Sequence, residues 1–210
     1  MQVAMVALSL TLGAGAGLAW AAATDNMVPT MRYLSYCGTG DGFICQTDNA
    51  GVYYYMDQAD GAGDGKDNKL EADDQEMVRK VLANSYNPTD LNIYYDSTPV
   101  WSGSSETDIY FEEDDVPSGS DGTTRCNDSE DPALGRYECD QHYITIRWGF
   151  YDYGMTCHET GHAVGLLHGD MSHPQVDKTD ESVMHCMATP VSASGVGLGP
   201  TNVENINATY

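Results

Sequence analysis

Basic residues are scarce in this chain: nine Lys and Arg stand against 32 Asp and Glu, a net charge of −23 at neutral pH. A nucleic acid or an anionic membrane surface would be repelled, so neither is expected as a partner. The acidic residues run along the whole sequence. That spread fits solubility outside the cell better than an acidic groove built to attract a basic substrate. Long apolar runs are scarce too. Residues 3–18 form the first, and no second segment could span a bilayer. No internal repeat is visible, which argues against a solenoid or an array.

That first run is rich in Gly and Ala, and Ala19-Trp20-Ala21 resembles an A-x-A cleavage site, with Ala21-Ala22-Ala23 a second. Residues 1–23 are therefore expected to be a secretory signal peptide rather than a membrane anchor. Met1-Gln2 carries no Lys or Arg, which leaves room for a translation start upstream of Met1. Residues 24–210 are expected to form a single domain with a real core, secreted and monomeric. Six cysteines fit export. They admit many pairings. Neighbour pairing would join Cys37 to Cys45, Cys126 to Cys139 and Cys157 to Cys186.

The densest chemistry lies in His158-Glu159-Thr160-Gly161-His162-Ala163-Val164-Gly165-Leu166-Leu167-His168. On a helix, residues four apart project from one face, so His158 and His162 can hold one metal ion together. Glu159 sits one step round, beside the metal, where a general base would act. Gly165 can take φ > 0 and end the helix, which lets the chain turn back and bring in His168. Three imidazoles with an open position describe a catalytic zinc site rather than a structural one. Cys157 as a further ligand is disfavoured, because it points about 100° away from His158 around the helix.

This stretch resembles the zinc signature of the metzincin metalloproteases, and Ser182-Val183-Met184-His185 resembles the methionine turn of that clan. Met187 is a second candidate for the turn. His168 as third ligand is similar to matrixins, whereas the length is similar to snapalysin-like small secreted peptidases, whose third ligand is Asp. The resemblance covers residues 158–187. It implies an α+β fold, a twisted mixed sheet with two main helices and a zinc cleft. An upper part would run to about residue 168, above a small loop-rich lower part, 169–210. A Cys157–Cys186 bridge would then brace both halves of the zinc site. Cys37-Gly38-Thr39-Gly40-Asp41 resembles the matrixin propeptide stretch whose thiolate blocks zinc. Tyr36 stands where that motif has Arg, so a Cys37–Cys45 disulfide is preferred.

Along the chain, residues 52–56 are aromatic and β-branched and predict a first strand. Residues 60–71 loosely follow a calcium loop through Asp60, Asp64, Gly65 and Glu71. Ala62 cannot ligate, so a solvated loop is expected, with Ca²⁺ as the alternative. Leu70, Met77, Val78, Val81 and Leu82 recur at helical spacing and predict a helix over 72–85, ended by Asn87-Pro88. Residues 91–95 and 108–111 predict two more strands. Residues 112–131 predict a long acidic surface loop, and 143–147 the strand feeding the His158 helix. Residues 108–111 are the candidate for the antiparallel edge strand that the resemblance implies beside the cleft. Thr156 with Glu159 fits a capping box, a role Glu159 cannot combine with facing the metal. His142 is expected to be exposed, His173 to be no ligand, and His185 to lie near the site without ligating. A short helix is expected over 201–206.

The function expected from the motif and the resemblance is a secreted zinc endopeptidase acting on protein or peptide substrates. Zn²⁺ would sit on His158, His162 and His168, with Glu159 as base. A non-catalytic zinc-stabilised binding module and a zinc amidase acting on a non-protein amide are the alternatives.

Overall fold

A computed structural model describes residues 24–40, 42–59, 69–103, 105–128, 135–192 and 195–210. The expected signal peptide and most of the calcium-loop candidate, 60–68, lie outside the described residues. In order come β1 (Gln46–Thr47), β2 (Gly51–Met56), α1 (Ala72–Val81), β3 (Asn92–Tyr95), β4 (Ile109–Glu113) and β5 (Gly122–Asp128). Then follow β6 (Glu138–Cys139), β7 (Gln141–Ile146), α2 (Tyr153–Ala163), α3 (Glu181–Met184) and α4 (Pro200–Thr209). This is a mixed α+β architecture. Five strands form one mixed sheet in the order β3-β2-β4-β7-β5, and β1 pairs with β6 in a small parallel ribbon. The first four strands of the large sheet are parallel, and β5 runs antiparallel to β7 at one edge.

Alternation explains how the sheet finds its core. In β2, Val52, Tyr54 and Met56 are buried while Tyr53 is exposed, the period of two that a strand with one buried face requires. Ile109 and Phe111 of β4 and Ile144 and Ile146 of β7 join them. Val78 and Val81 of α1, Leu82 just beyond it and Cys157 and Ala163 of α2 complete this core. Burying each large aliphatic or aromatic side chain contributes about 1.5–3 kcal/mol, so this face holds both helices against the sheet.

Several expectations need correction. The stretch 112–131 is not one long loop: β4 continues to Glu113 and β5 occupies Gly122–Asp128. The antiparallel edge strand is therefore β5, and 108–111 lies mostly in β4, an interior parallel strand between β2 and β7. His142 is not exposed but 1% accessible within β7. Burial holds its ring down to about 4, so it is neutral in the folded chain, with the Cys45 backbone pulling the other way. The α-helix predicted over 72–85 ends at Val81, and Leu82–Tyr86 continues as a wider π turn. The expected neighbour pairing of the cysteines holds here: Cys37 is bonded to Cys45 and Cys126 to Cys139, so Cys37 offers no thiolate to a metal. The C-terminal helix is longer than 201–206, running Pro200–Thr209.

Asp108 sits where β2 and β4 have not yet paired, 4% exposed, and its Oδ2 accepts the Tyr53 N–H at 2.6 Å. Burial, reinforced by neighbouring Asp48, pushes its carboxyl up to about 8, with the Tyr53 hydrogen bond opposing. The folded chain thus keeps a proton that the unfolded chain releases near the ordinary carboxylate value. The resulting stability is fully present below about pH 4 and fades as pH rises towards 8. Asp108→Asn mimics the protonated group. It should leave stability unchanged at pH 4 and raise it by about 1–3 kcal/mol at pH 8, as read by urea unfolding at both pH values.

Candidate metal centre

Helix α2 is buried along nearly its whole length, from Gly154 to Ala163, although it carries His158, Glu159, Thr160 and His162. Polar groups are not placed in such surroundings unless partners satisfy them. The start of the helix is secured by Asp152, which accepts the Met155 N–H at 2.8 Å. Thr156 lies inside the helix, so the alternative Thr156–Glu159 box is not formed. At the far end Gly165 has φ +92, and the Leu166 N–H reaches back to the Gly161 carbonyl at 2.8 Å. A Cβ on Gly165 would lie 2.9 Å from both Gln46 Cγ and Met27 Sδ, so conformation and space both call for glycine there.

The loop after Gly165 is held from outside. Asn26 is fully buried. Its Nδ2 donates to the Leu167 carbonyl at 2.9 Å, and its backbone carbonyl accepts the Leu167 N–H at 2.7 Å. Asn205 of α4 donates to Asn26 Oδ1 at 2.7 Å. Both ends of the chain therefore fix the residues that precede His168. Nothing in the sequence pointed to Asn26, which has no motif around it.

His158, His162 and His168 converge. Their Nε2 atoms form a triangle with edges of 3.1 Å (His158 to His162), 3.1 Å (His162 to His168) and 3.0 Å (His158 to His168). The His158–His162 edge is not a hydrogen bond. His158 Nδ1 lies 2.7 Å from the Cys186 carbonyl and His162 Nδ1 2.7 Å from the Leu166 carbonyl. A carbonyl only accepts, so each Nδ1 carries the proton. Burial, and for His158 and His162 the neighbouring imidazoles, pushes all three rings below their usual pKa, His158 to about 3. They are neutral, and the Nε2 atoms of His158 and His162 are bare lone pairs turned towards that of His168. A divalent cation at the centre resolves that arrangement. Four ligands at the usual zinc–nitrogen distance would be about 3.3 Å apart, close to the observed edges. The triad can hold a metal ion.

Glu159 lies beside the triad, 5% exposed. Burial pushes its carboxyl up to about 7, with the Thr124 hydroxyl pulling back. That hydroxyl lies 2.8 Å from Glu159 Oε2 and 2.8 Å from the Glu159 carbonyl. Together with the three histidines, Glu159 lines a cleft of about 410 Å³ bordered by β5, by Phe43 and Ile44 near the N-terminus, and by Pro190 and Val191.

Cys157 and Cys186 are joined, so Cys157 is no ligand and the bridge ties α2 to the strand of chain whose carbonyl orients His158. Met184 and Met187 are both fully buried on either side of a tight turn in which His185 has φ 51. Met187 packs on α2: a Cβ on Gly161 would meet its Sδ. His185 packs against Gly199 and His173 is exposed, and neither joins the triad. Glu71 has become the N-cap of α1, and its carboxylate meets those of Asp74 and Glu113 within 4.8 Å.

Sequence comparison assigns this site to no known group: no protein-family model matches the chain, and no curated protein matches it.

Proposed function

We propose that this protein is a secreted, zinc-dependent endopeptidase of metzincin type. The observation that carries the reading is the triangle of neutral imidazole nitrogens on the floor of a cleft, with the Glu159 carboxylate beside it. A purely structural zinc site has no use for that carboxylate. The mixed sheet with an antiparallel edge strand along the cleft, Gly165 at the helix end and the turn at Met184 support the same reading. The three disulfides are those of an oxidising compartment. Among the described residues no helix is long and apolar enough to cross a membrane.

His158, His162 and His168 would hold a zinc ion, which would supply Lewis acidity to acidify a water and polarise a peptide carbonyl. The protein's own groups do the rest. Glu159 accepts the proton of the attacking water and returns it to the leaving amine nitrogen. Burial raises the proton affinity of this carboxyl above that of an ordinary glutamate, which suits a group that takes up a proton and returns it. The Cys186 and Leu166 carbonyls keep the His158 and His162 rings in the tautomer that presents Nε2.

Zinc stoichiometry and hydroxamate binding test the reading together. One zinc per chain and a hydroxamate bound only when zinc is present are expected, because a bidentate chelator needs an open coordination position. One zinc with no hydroxamate binding would point instead to a closed site in a binding module.

A further inference from the structure

Strand β5, where the sequence predicts a loop, supplies a side-chain hydrogen bond to Glu159. Within β5, Gly122 and Thr124 are two residues apart and so face the same side of the sheet, the side on which α2 packs. The Thr124 hydroxyl donates to Glu159, 2.8 Å from Oε2 and 2.8 Å from the backbone carbonyl. Being β-branched, Thr124 has few side-chain orientations open to it, and its backbone is fixed by pairing with Ile144 of β7. The donor is therefore held rigidly. At Gly122 the contribution is an absence. A Cβ there would lie 2.8 Å from Glu159 Oε1, 2.9 Å from its Cγ and 2.9 Å from Met155 Sδ.

We infer that Thr124 is a positioning residue for Glu159, anchoring one carboxylate oxygen while Gly122 keeps space for the other. This rests on the peptidase reading of the site. Glu is a long side chain with several rotatable bonds, and a base that must meet a water in one orientation loses rate when it wanders. Holding Oε2 on a fixed hydroxyl leaves Oε1 as the oxygen that exchanges the proton. Thr124 touches neither the imidazoles nor a substrate in this scheme. Its effect is transmitted through Glu159.

The test compares Thr124→Val, Thr124→Ser and Gly122→Ala with the wild type, all zinc-loaded. Steady-state peptide hydrolysis and a crystal structure of each form are the readouts. Thr124→Val removes the donor at almost constant volume. It should lower kcat roughly 10–100-fold, the value of a hydrogen bond to a charged group, with KM and zinc stoichiometry unchanged. In its crystal structure the Glu159 carboxylate should be displaced or spread over several orientations. Thr124→Ser should restore kcat to within about threefold of wild type, and Gly122→Ala should lower kcat by crowding Oε1. The proposal is overturned if Thr124→Val turns over at the wild-type rate. It is also overturned if Thr124→Ser is as impaired as Thr124→Val, or if zinc content falls and KM rises as kcat falls. Should the zinc-loaded wild type cleave no peptide, the peptidase reading fails, and the crystal structures still decide on Thr124. A Glu159 carboxylate in the same ordered position in wild type and Thr124→Val rejects the positioning role.

Discussion

Glu159→Gln should bind one zinc ion as tightly as the wild type and hydrolyse peptide bonds about 10²–10⁴-fold more slowly. The substitution keeps the shape of the side chain and its ability to accept from Thr124, which lies 2.8 Å away, so the surrounding packing is preserved. It removes the carboxylate proposed to take a proton and give it back. Zinc binding should be untouched because the imidazoles, not the carboxylate, form the converging triangle. The loss should appear in kcat rather than KM, since proton transfer belongs to the transition state. Paired measurements of zinc stoichiometry and of kcat and KM check this. Near-normal turnover in the zinc-loaded variant would remove Glu159 from the chemistry.

The second large effect is on stability. Without a cation, the three Nε2 atoms lie 3.0–3.1 Å apart in a buried site, those of His158 and His162 as facing lone pairs, and burial opposes relief by protonation of the rings. A metal that binds the folded chain alone stabilises it by about 4 kcal/mol when present at a thousandfold excess over Kd. For a chain of this size each kcal/mol corresponds to roughly 2–4 °C in melting temperature. Chelation should therefore lower the Tm by roughly 8–16 °C, and added zinc should restore it. His168→Ala should melt near the chelated temperature and respond little to zinc. A wild-type Tm unmoved by chelation would mean that the triad holds no stabilising metal.

How far the sequence was legible depended on whether a feature is local. The triad was, because His158 and His162 share a helix face by spacing alone and Gly165 marks the turn that returns His168. Its glycine requirement reappears as φ +92. The neighbour pairing of the cysteines appears as three disulfides. Strand β2 was legible because its buried face alternates cleanly. Strand β5 was not. Gly122, Thr123, Thr124 and Arg125 are all half-buried, so no alternation marks them, and they sit among acidic, Gly and Ser residues that read as loop. What makes them a strand is pairing with β7, a partner whose position follows only from the whole sheet. Thr124 was lost with its strand for the same reason. His142 was misplaced because burial at the start of β7 is set by distant chain, including the Cys45 backbone. Asn26 was invisible because its partners, Leu167 and Asn205, lie at the other end of the chain.

The central claim is that zinc held by His158, His162 and His168 and a proton moved by Glu159 together cleave peptide bonds. Digestion of unfolded casein tests it most directly. The samples are the wild-type protein, the same protein after chelation, the chelated protein with zinc restored, and Glu159→Gln. Cleavage by the first and third samples, and none above background by the second and fourth, is the predicted result. Cleavage that survives chelation, or an intact casein band with folded, zinc-loaded wild type, would contradict the claim.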